Sequence, residues 1–144
     1  MNQLTEIQKL QDSIFVKKEE GTEVNYFLYP EFEVHKNVLP SRAIQEWHAH
    51  TVVEEVIVGI EGIFHVESVE NQRISILEVN KGDVVRVNNS IHRLTNRNNE
   101  AAEFLVFRFV KTDEDQSEMI KQDKTVYSKE QVKQLVKNDK QALI

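Results

Sequence analysis

The chain of 144 residues has no cysteine, only two prolines and four glycines, and no long hydrophobic run. Without cysteine it cannot form disulfides, thiolate nucleophiles, zinc fingers or iron–sulfur clusters. Any metal ion must therefore be held by nitrogen and oxygen ligands. A membrane span needs about 20 consecutive apolar residues, so we expect no membrane-spanning segment and no membrane partner.

The charges lean to the acidic side, with 24 acidic against 18 basic residues and a formal net charge of −6. An acidic surface repels phosphate backbones, so nucleic acid is not expected as a partner. The first residues also lack the basic flank and the apolar run of about 7–15 residues that mark a secretory signal. We therefore expect a cytoplasmic protein whose partner is a small molecule.

Residues 24–110 have the texture of an all-β domain. Short runs rich in Val, Ile, Phe and Tyr alternate with turn residues at intervals of about 8–12 positions, the pattern of a sandwich or barrel. Gly62 and Gly82 are expected at tight turns, where a positive φ is needed. The predicted strands are Val24–Tyr29, Glu33–Leu39, Ala43–His50, Glu55–Ile60, Ile63–Ser68, Arg73–Val79, Asp83–Val87, His92–Asn96 and Glu103–Val110.

The amino terminus differs from this β pattern. Leu4, Ile7, Leu10 and Ile14 recur at helical spacing, which predicts a short amphipathic helix within residues 1–20. The alternative is a strand that swaps onto a partner subunit, and the pattern does not separate the two.

The carboxyl terminus also departs from the β pattern of residues 21–111. Residues 112–144 are predicted to be an acidic linker followed by a helix. Ser128 and Gln131 have the spacing of a capping box, which marks the start of that helix. Apolar residues at helical spacing then extend it to about Lys140.

Three of the five histidines lie in a pattern typical of a metal site. His48 and His50 are two residues apart in a predicted strand, so their side chains project from the same face with Cα atoms about 6.5–7 Å apart. Glu55 begins the next strand, and His92 follows another strand further along the chain. Imidazole and carboxylate groups are ordinary metal ligands, so these four residues are the candidate metal ligands. Taken alone, the histidine pair also fits a strand with two exposed polar residues.

These residues resemble two motifs of the cupin superfamily, over roughly residues 34 to 110. The first motif, Gly-x5-His-x-His-x3,4-Glu-x6-Gly, matches from His48 to Gly62, and the second, Gly-x5-Pro-x-Gly-x2-His-x3-Asn, matches from Gly82 to Asn96. The resemblance implies a small antiparallel β-barrel, or double-stranded β-helix of the jelly-roll type, with short terminal helices. It also implies an ion near the middle of the cavity and a homodimer.

Some positions depart from these motifs. Arg42 stands at the leading glycine of the first motif, and Asn88 and Ser90 stand at the proline and glycine of the second. The segment before His92 is one residue shorter, which would tilt this histidine relative to the other three ligands.

Glu54 and Glu55 both satisfy the permitted gap after His50, but only Glu55 leaves six residues before Gly62. Because side chains alternate along a strand, Glu54 is then expected to point outward or to lie in the loop.

The other histidines and two arginines complete the set of candidate residues. His65 and His35 are both expected on solvated strand faces. Arg108 interrupts an apolar strand, so it either faces the cavity, where its planar fork grips a substrate carboxylate, or lies at the rim beside a surface acid. Arg42 is a second candidate for contacting a substrate.

Three neutral imidazoles and one carboxylate around a divalent ion leave a net charge of about +1 and, in six-coordinate geometry, about two open positions. Fe, Mn, Ni, Zn and Cu all suit this ligand set. The site predicts a metalloenzyme that acts on a small anionic or carbonyl-containing metabolite by isomerisation, decarboxylation or dioxygenase-like oxygenation. The alternatives are a module that binds or senses a small ligand, and a metal-free barrel in which these residues form a hydrogen-bonded core.

Overall fold

The computed structural model describes residues 4–110 and 115–136. These residues form eleven strands, one 3₁₀ turn and two short helices. The strands are β1 (Ile14–Lys17), β2 (Glu23–Leu28), β3 (Phe32–Leu39), β4 (Trp47–Ala49), β5 (Glu54–Glu61), β6 (Phe64–Glu70), β7 (Arg73–Val79), β8 (Val84–Arg86), β9 (His92–Thr95), β10 (Ala102–Phe109) and β11 (Thr125–Tyr127). The helices are α1 (Ser117–Gln122) and α2 (Lys129–Leu135). Neither is long and apolar enough to cross a membrane.

The strands form two antiparallel sheets, which confirms the all-β prediction. The six-stranded sheet has the order β1-β2-β3-β10-β5-β8, and the five-stranded sheet has the order β11-β4-β9-β6-β7. The sheets are not hydrogen-bonded into a closed barrel among the residues described. Apolar side chains from both sheets make one core, which includes Ile57 and Phe104 from the first sheet and Phe64 and Leu94 from the second.

The interior face of the six-stranded sheet changes from apolar to polar along its strands. On β10, Phe104 and Val106 belong to the core, whereas Arg108 lies among charged groups. The strand register places Arg108 between two acidic residues, opposite Glu33 of β3 and opposite Glu55 of β5. One end of the sandwich therefore provides the packed core, and the other end provides a polar cavity.

The predicted turns follow from backbone geometry. Gly62 joins β5 to β6 with a φ of +75°, and a Cβ atom there would lie 2.7 Å from the carbonyl oxygen of Ala101. Gly82 also has a positive φ, of +90°, in the turn before β8. Asn71 and Gln72 both have positive φ and form the two-residue turn between β6 and β7, the arrangement that suits the twist of a hairpin.

The predicted amino-terminal helix is wrong. From residue 4 to the start of β1, the only helical segment is a 3₁₀ turn at Leu10–Asp12, and β1 pairs with β2 of the same chain from Ile14 opposite Tyr26 to Lys17 opposite Glu23. Tertiary context explains the difference, because the edge of β2 offers backbone hydrogen bonds to a run of β-branched and aromatic residues. The alternative, a strand that swaps onto a partner subunit, stays a prediction.

The segment after β10 is more ordered than the predicted acidic linker, since α1 and β11 lie within it. The capping box is confirmed, because the Ser128 hydroxyl accepts from the Gln131 amide while the Gln131 side chain accepts from the Ser128 amide. Helix α2 ends at Leu135, and its predicted continuation to about Lys140 lies outside the described residues. Val132 and Val136 pack with Trp47, so this helix covers the outer face of the five-stranded sheet.

Candidate metal centre

Four side chains from three strands and their flanks meet at the polar end of the cavity. The possible ligand atoms of His48, His50, Glu55 and His92 all lie within 4.8 Å of one another. His48 of β4 is directly opposite His92 of β9. His50 follows β4 on the same side as His48, and Glu55 lies near the start of β5. The structure thus brings together all four residues that the spacing singled out.

Backbone carbonyl groups determine which nitrogen of each imidazole faces the cluster. Nδ1 of His48 lies 3.0 Å from the Glu46 carbonyl oxygen, Nδ1 of His92 lies 3.0 Å from the Ser90 carbonyl oxygen, and Nδ1 of His50 lies 2.6 Å from that of Asp123. Because a carbonyl oxygen can only accept, each Nδ1 must carry the proton. The lone pair of every imidazole is therefore on Nε2, directed toward the other histidines.

The inward-facing nitrogens lack hydrogen-bond partners. Nε2 of His50 and Nε2 of His92 are buried and make no hydrogen bond. They lie 3.0 Å and 3.7 Å from the two carboxylate oxygens of Glu55, without hydrogen-bond alignment. Buried polar atoms normally find partners, so this cluster is incomplete as a hydrogen-bonded core. Nitrogen and oxygen donors that converge in this way fit a divalent transition metal.

The protonation states also suit metal binding. Burial, together with the nearby His92, lowers the pKa of His48 to about 3. His48 is therefore neutral near pH 7, as metal coordination requires.

Asp123 contacts the candidate site, and the sequence patterns missed it. Besides the carbonyl that receives His50, its carboxylate accepts hydrogen bonds from the amides of Thr51, Val52 and Val53 and from the Thr51 hydroxyl. Burial raises the pKa of Asp123, yet these hydrogen bonds outweigh it and bring the pKa to about 2. Asp123, which directly follows α1, thus holds both His50 and the loop between His50 and Glu55, although it lies 73 residues from His50 along the chain. No local motif could have identified it.

The cluster forms one wall of a cavity of about 450 Å³ between the sheets. Arg108 faces this cavity, with Nε 3.4 Å from Glu55 and one terminal nitrogen 3.1 Å from Nδ1 of His50. Since that Nδ1 carries a proton, it cannot accept from the arginine, and Nε of Arg108 is likewise buried without a hydrogen bond. Of the two placements considered for Arg108, the structure has the one inside the cavity.

Arg42 lies elsewhere. It is exposed, and its guanidinium donates to the carbonyl of Arg97 and to the side chain of Asn99, both at 2.6 Å. It does not line the cavity, so its predicted contact with a substrate has no support from its position. Its φ of +68° explains why a glycine suits this place in the motif.

The prediction for His35 is wrong, whereas the facing of His65 is as expected. His35 is buried and lines the cavity, and so are its β3 neighbours Glu33 and Asn37. These three residues face inward, so the side of β3 that was predicted to be solvated is the side that faces the cavity. His65 lies between the core residues Phe64 and Val66 on the opposite face of β6, where it is half-buried rather than fully exposed.

Comparison with known proteins identifies the architecture. No protein-family model and no curated protein sequence matches this chain. Among solved structures, a sugar phosphate isomerase from a cupin superfamily of Silicibacter pomeroyi is 21% identical with a TM-score of 0.54, over 62% of this chain and 60% of that one. An oxalate decarboxylase from Lactobacillus farciminis is 19% identical with a TM-score of 0.63, over 76% of this chain and 34% of that one. The chain has the cupin fold.

A third similar structure shows that this fold does not carry one activity. Peruvianin-I, a cysteine peptidase from Thevetia peruviana latex, is 12% identical with a TM-score of 0.62, over 74% of this chain and 72% of that one. The present chain has no cysteine, so it cannot use a cysteine nucleophile. Likeness at these identities concerns the fold alone, and function must be argued from the site.

The departures from the second cupin motif leave His92 in place. Asn88 adopts a φ of +54°, and the hydroxyl of Ser90 donates to the carbonyl of Val87 at 2.6 Å. This tight turn makes up for the missing residue, and the Ser90 carbonyl receives the imidazole of His92. As expected, Glu54 points outward, where it pairs with Arg86.

We expect His50→Ala to lower the affinity of the purified protein for Mn²⁺, Ni²⁺ or Zn²⁺ by at least about 100-fold, because it removes an Nε2 donor from a buried site. His65→Ala is the matched control, since it removes a strand histidine from the face of β6 that points away from the core. The measurement is metal competition with a chromophoric chelator, followed by elemental analysis. Equal losses in the two variants would contradict the assignment of His50 as a ligand.

We expect Asp123→Ala to weaken metal binding by about 10- to 100-fold, because the loop that carries His50 loses its hydrogen-bond acceptor. Asp115→Ala is the control at the other end of α1, where the carboxylate accepts from Ser117 and, among the described residues, makes no hydrogen bond to the loop that carries His50. In the metal-free protein, the pKa of Asp123 is about 2 against an ordinary 3.8. Its contribution to stability is therefore complete above about pH 4 and is lost as the pH falls toward about 2. If both variants bind metal as the wild type does, the hydrogen bonds of the Asp123 carboxylate have no role in the site.

Proposed function

We propose that this cupin-fold protein is a metal-dependent enzyme that binds a divalent transition metal through His48, His50, Glu55 and His92. The observation that carries the proposal is the convergence of three imidazole Nε2 atoms, each made available by a carbonyl at its Nδ1. A bound divalent ion would supply Lewis acidity, which polarises a carbonyl or carboxylate oxygen. The ligand set does not choose among Fe, Mn, Ni, Zn and Cu.

The charges around the cavity favour a small anion as the substrate. Arg108 lies inside, and Lys18, Lys121 and Lys124 lie around the opening, against the two acidic residues Glu33 and Glu55. Burial and the charge of Lys124 lower the pKa of Lys18, so a bound anion would stabilise both ammonium groups. The volume of about 450 Å³ suits a small metabolite.

Isomerisation or decarboxylation is the reaction class we propose. The names of two structurally similar proteins, a sugar phosphate isomerase and an oxalate decarboxylase, agree with these reactions. The substrates in these two names, a sugar phosphate and oxalate, are oxygen-rich anions, which suit the cationic groups of the cavity. Oxygenation and a cytoplasmic location stay predictions from the sequence.

We expect oxalate to bind the Mn²⁺-loaded protein and to bind the metal-free protein at least about 10-fold more weakly, because both the ion and Arg108 contribute charge. Arg108→Gln should weaken oxalate binding by about 10-fold or more. Arg86→Gln is the control, since Arg86 pairs with Glu54 outside the cavity. Calorimetric titration measures the binding, and NMR of the same samples over time detects turnover.

Binding of oxalate that does not depend on metal or on Arg108 would contradict the proposed site. Metal-dependent binding without turnover of oxalate, or of a panel of 2-oxo and 2-hydroxy acids, would contradict the enzymatic part of the proposal and leave a binding module.

We further propose that the protein is a homodimer formed through the outer face of its six-stranded sheet. An apolar patch lies there next to Phe32, which is 39% exposed. It is formed by Val56, Val58, Phe107 and Phe109. Contiguous apolar patches of this kind mark interaction surfaces, and a two-fold axis allows the same patch to face itself.

We expect the wild type to have twice the mass of one 16.8 kDa chain in light scattering after size-exclusion chromatography. Val58→Glu should give monomers, because it puts a charge into the middle of the apolar patch. Leu77→Glu is the control, since Leu77 is an exposed apolar residue of the other sheet. A wild-type monomer at about 100 μM, or dissociation by both variants, would contradict this interface.

A further inference from the structure

A second polar pair lies in the same cavity, apart from the four candidate ligands. Glu33 and His35 on β3 are 1% and 7% exposed, and Nε2 of His35 lies 2.8 Å from Oε1 of Glu33. Both side chains line the cavity. The proposed metal centre uses neither of them.

The hydrogen bonds of this pair define its chemistry. A carboxylate oxygen accepts, so Nε2 of His35 carries the proton and Nδ1 holds the lone pair. Among the described residues, no group forms a hydrogen bond with that Nδ1. The ring of Tyr26 meets the imidazole edge-on at 4.5 Å and restricts its rotation. Burial lowers the pKa of His35, so the ring is neutral near pH 7 and able to accept a proton.

The pair is not explained by folding. Oε2 of Glu33 is buried without a hydrogen bond, and burial of an incompletely paired carboxylate costs free energy that apolar side chains of the same volume would not. The neighbouring strand carries such apolar residues, Phe104 and Val106, on the same face. A Glu–His pair on a cavity wall, in which the carboxylate accepts from one imidazole nitrogen and leaves the lone pair of the other available, is suited to proton transfer.

The strand register places the pair within reach of a ligand held at the metal centre. Glu33 is opposite Arg108, and Arg108 is opposite Glu55, so β10 lies between the two groups. From strand spacing and rise, the Cα atoms of His35 and Glu55 are about 12 Å apart. A three-carbon acid bound to the ion can span the gap between the metal centre and His35. Its bond to the ion, its own length and a contact of about 3–3.5 Å to the base together cover this distance.

We propose that His35 is the general base that removes a proton from the carbon next to the carbonyl group of a 2-oxo acid, and that Glu33 is its positioning residue. The inference rests on the proposed function and names its substrate class. The C–H bond breaks and its proton goes to Nδ1 of His35. The C–H electron pair forms the carbon–carbon double bond, and the carbonyl π pair moves to oxygen. Return of a proton from the imidazolium to carbon completes an isomerisation or an exchange with solvent.

The first test uses pyruvate in D₂O with the Zn²⁺-loaded protein and follows deuteration of the methyl group by proton NMR. The wild type should deuterate pyruvate faster than free Zn²⁺ at the same concentration does. His35→Gln should lower the wild-type rate by about 100-fold or more, the usual contribution of a general base. Glu33→Gln should lose about 10-fold. His65→Gln, which changes a histidine away from the cavity, should retain the wild-type rate.

The second test needs neither metal nor turnover. Long-range ¹H–¹⁵N NMR of the metal-free wild type should show His35 with its proton on Nε2, and Glu33→Gln should shift this tautomer equilibrium. A proton on Nδ1 in the wild type would overturn the inference even if a variant fails to fold.

The outcomes separate this inference from the proposed function. Metal and pyruvate binding without deuterium exchange, or exchange that survives His35→Gln, overturns the role of His35 and leaves the metal centre standing. Failure to bind pyruvate in a metal-loaded protein overturns the substrate class. Absence of metal binding, with the Nε2 tautomer present, overturns the proposed metal centre instead.

Discussion

The candidate site depends on three hydrogen bonds in which an imidazole Nδ1 donates to a backbone carbonyl. A neutral imidazole has one proton and one lone pair, so a carbonyl at Nδ1 leaves the lone pair on Nε2. Two of these carbonyls, from Glu46 and Ser90, belong to the backbone just before the histidine they orient. The third comes from Asp123, directly after α1, so the segment that follows β10 is part of the candidate site. Without these contacts the rings could rotate, and the buried Nε2 atoms would not converge.

The two sheets divide the interior between folding and chemistry. Core residues such as Phe64 and Phe104, whose rings lie 4.8 Å apart, stabilise one end. At the other end Arg108 separates two acidic groups, one in the candidate metal centre and one paired with His35. A charged wall of this kind opposes folding, and the apolar core together with the packing of α2 against Trp47 must offset it. This cost agrees with the ligand-binding role that we propose for the polar end.

Much of the fold and of the candidate site could be predicted from local patterns. Short β-branched runs and turn residues indicated the strands from β2 to β10, and the spacing from His48 to Gly62 indicated the ligand strand. The errors arose where the alternation of side chains along a strand did not show which face is buried. Both faces of β3 carry polar and apolar residues, so the inward side of His35 depended on how β3 packs beside β10. The amino terminus has helical spacing, but β2 offered it a sheet edge.

By itself the sequence determined the all-β class of the protein and the identity of its four candidate metal ligands. The period of two along the strands, the glycine turns and the order His48, His50, Glu55, His92 are properties of the chain alone. Only the tertiary structure decided which nitrogen each histidine presents, that Asp123 reaches His50, and that Glu33 and His35 face the same cavity. The physical reason is that hydrogen bonds and cavity walls join residues far apart in the chain. Their geometry depends on strand register and sheet packing, which local spacing does not encode.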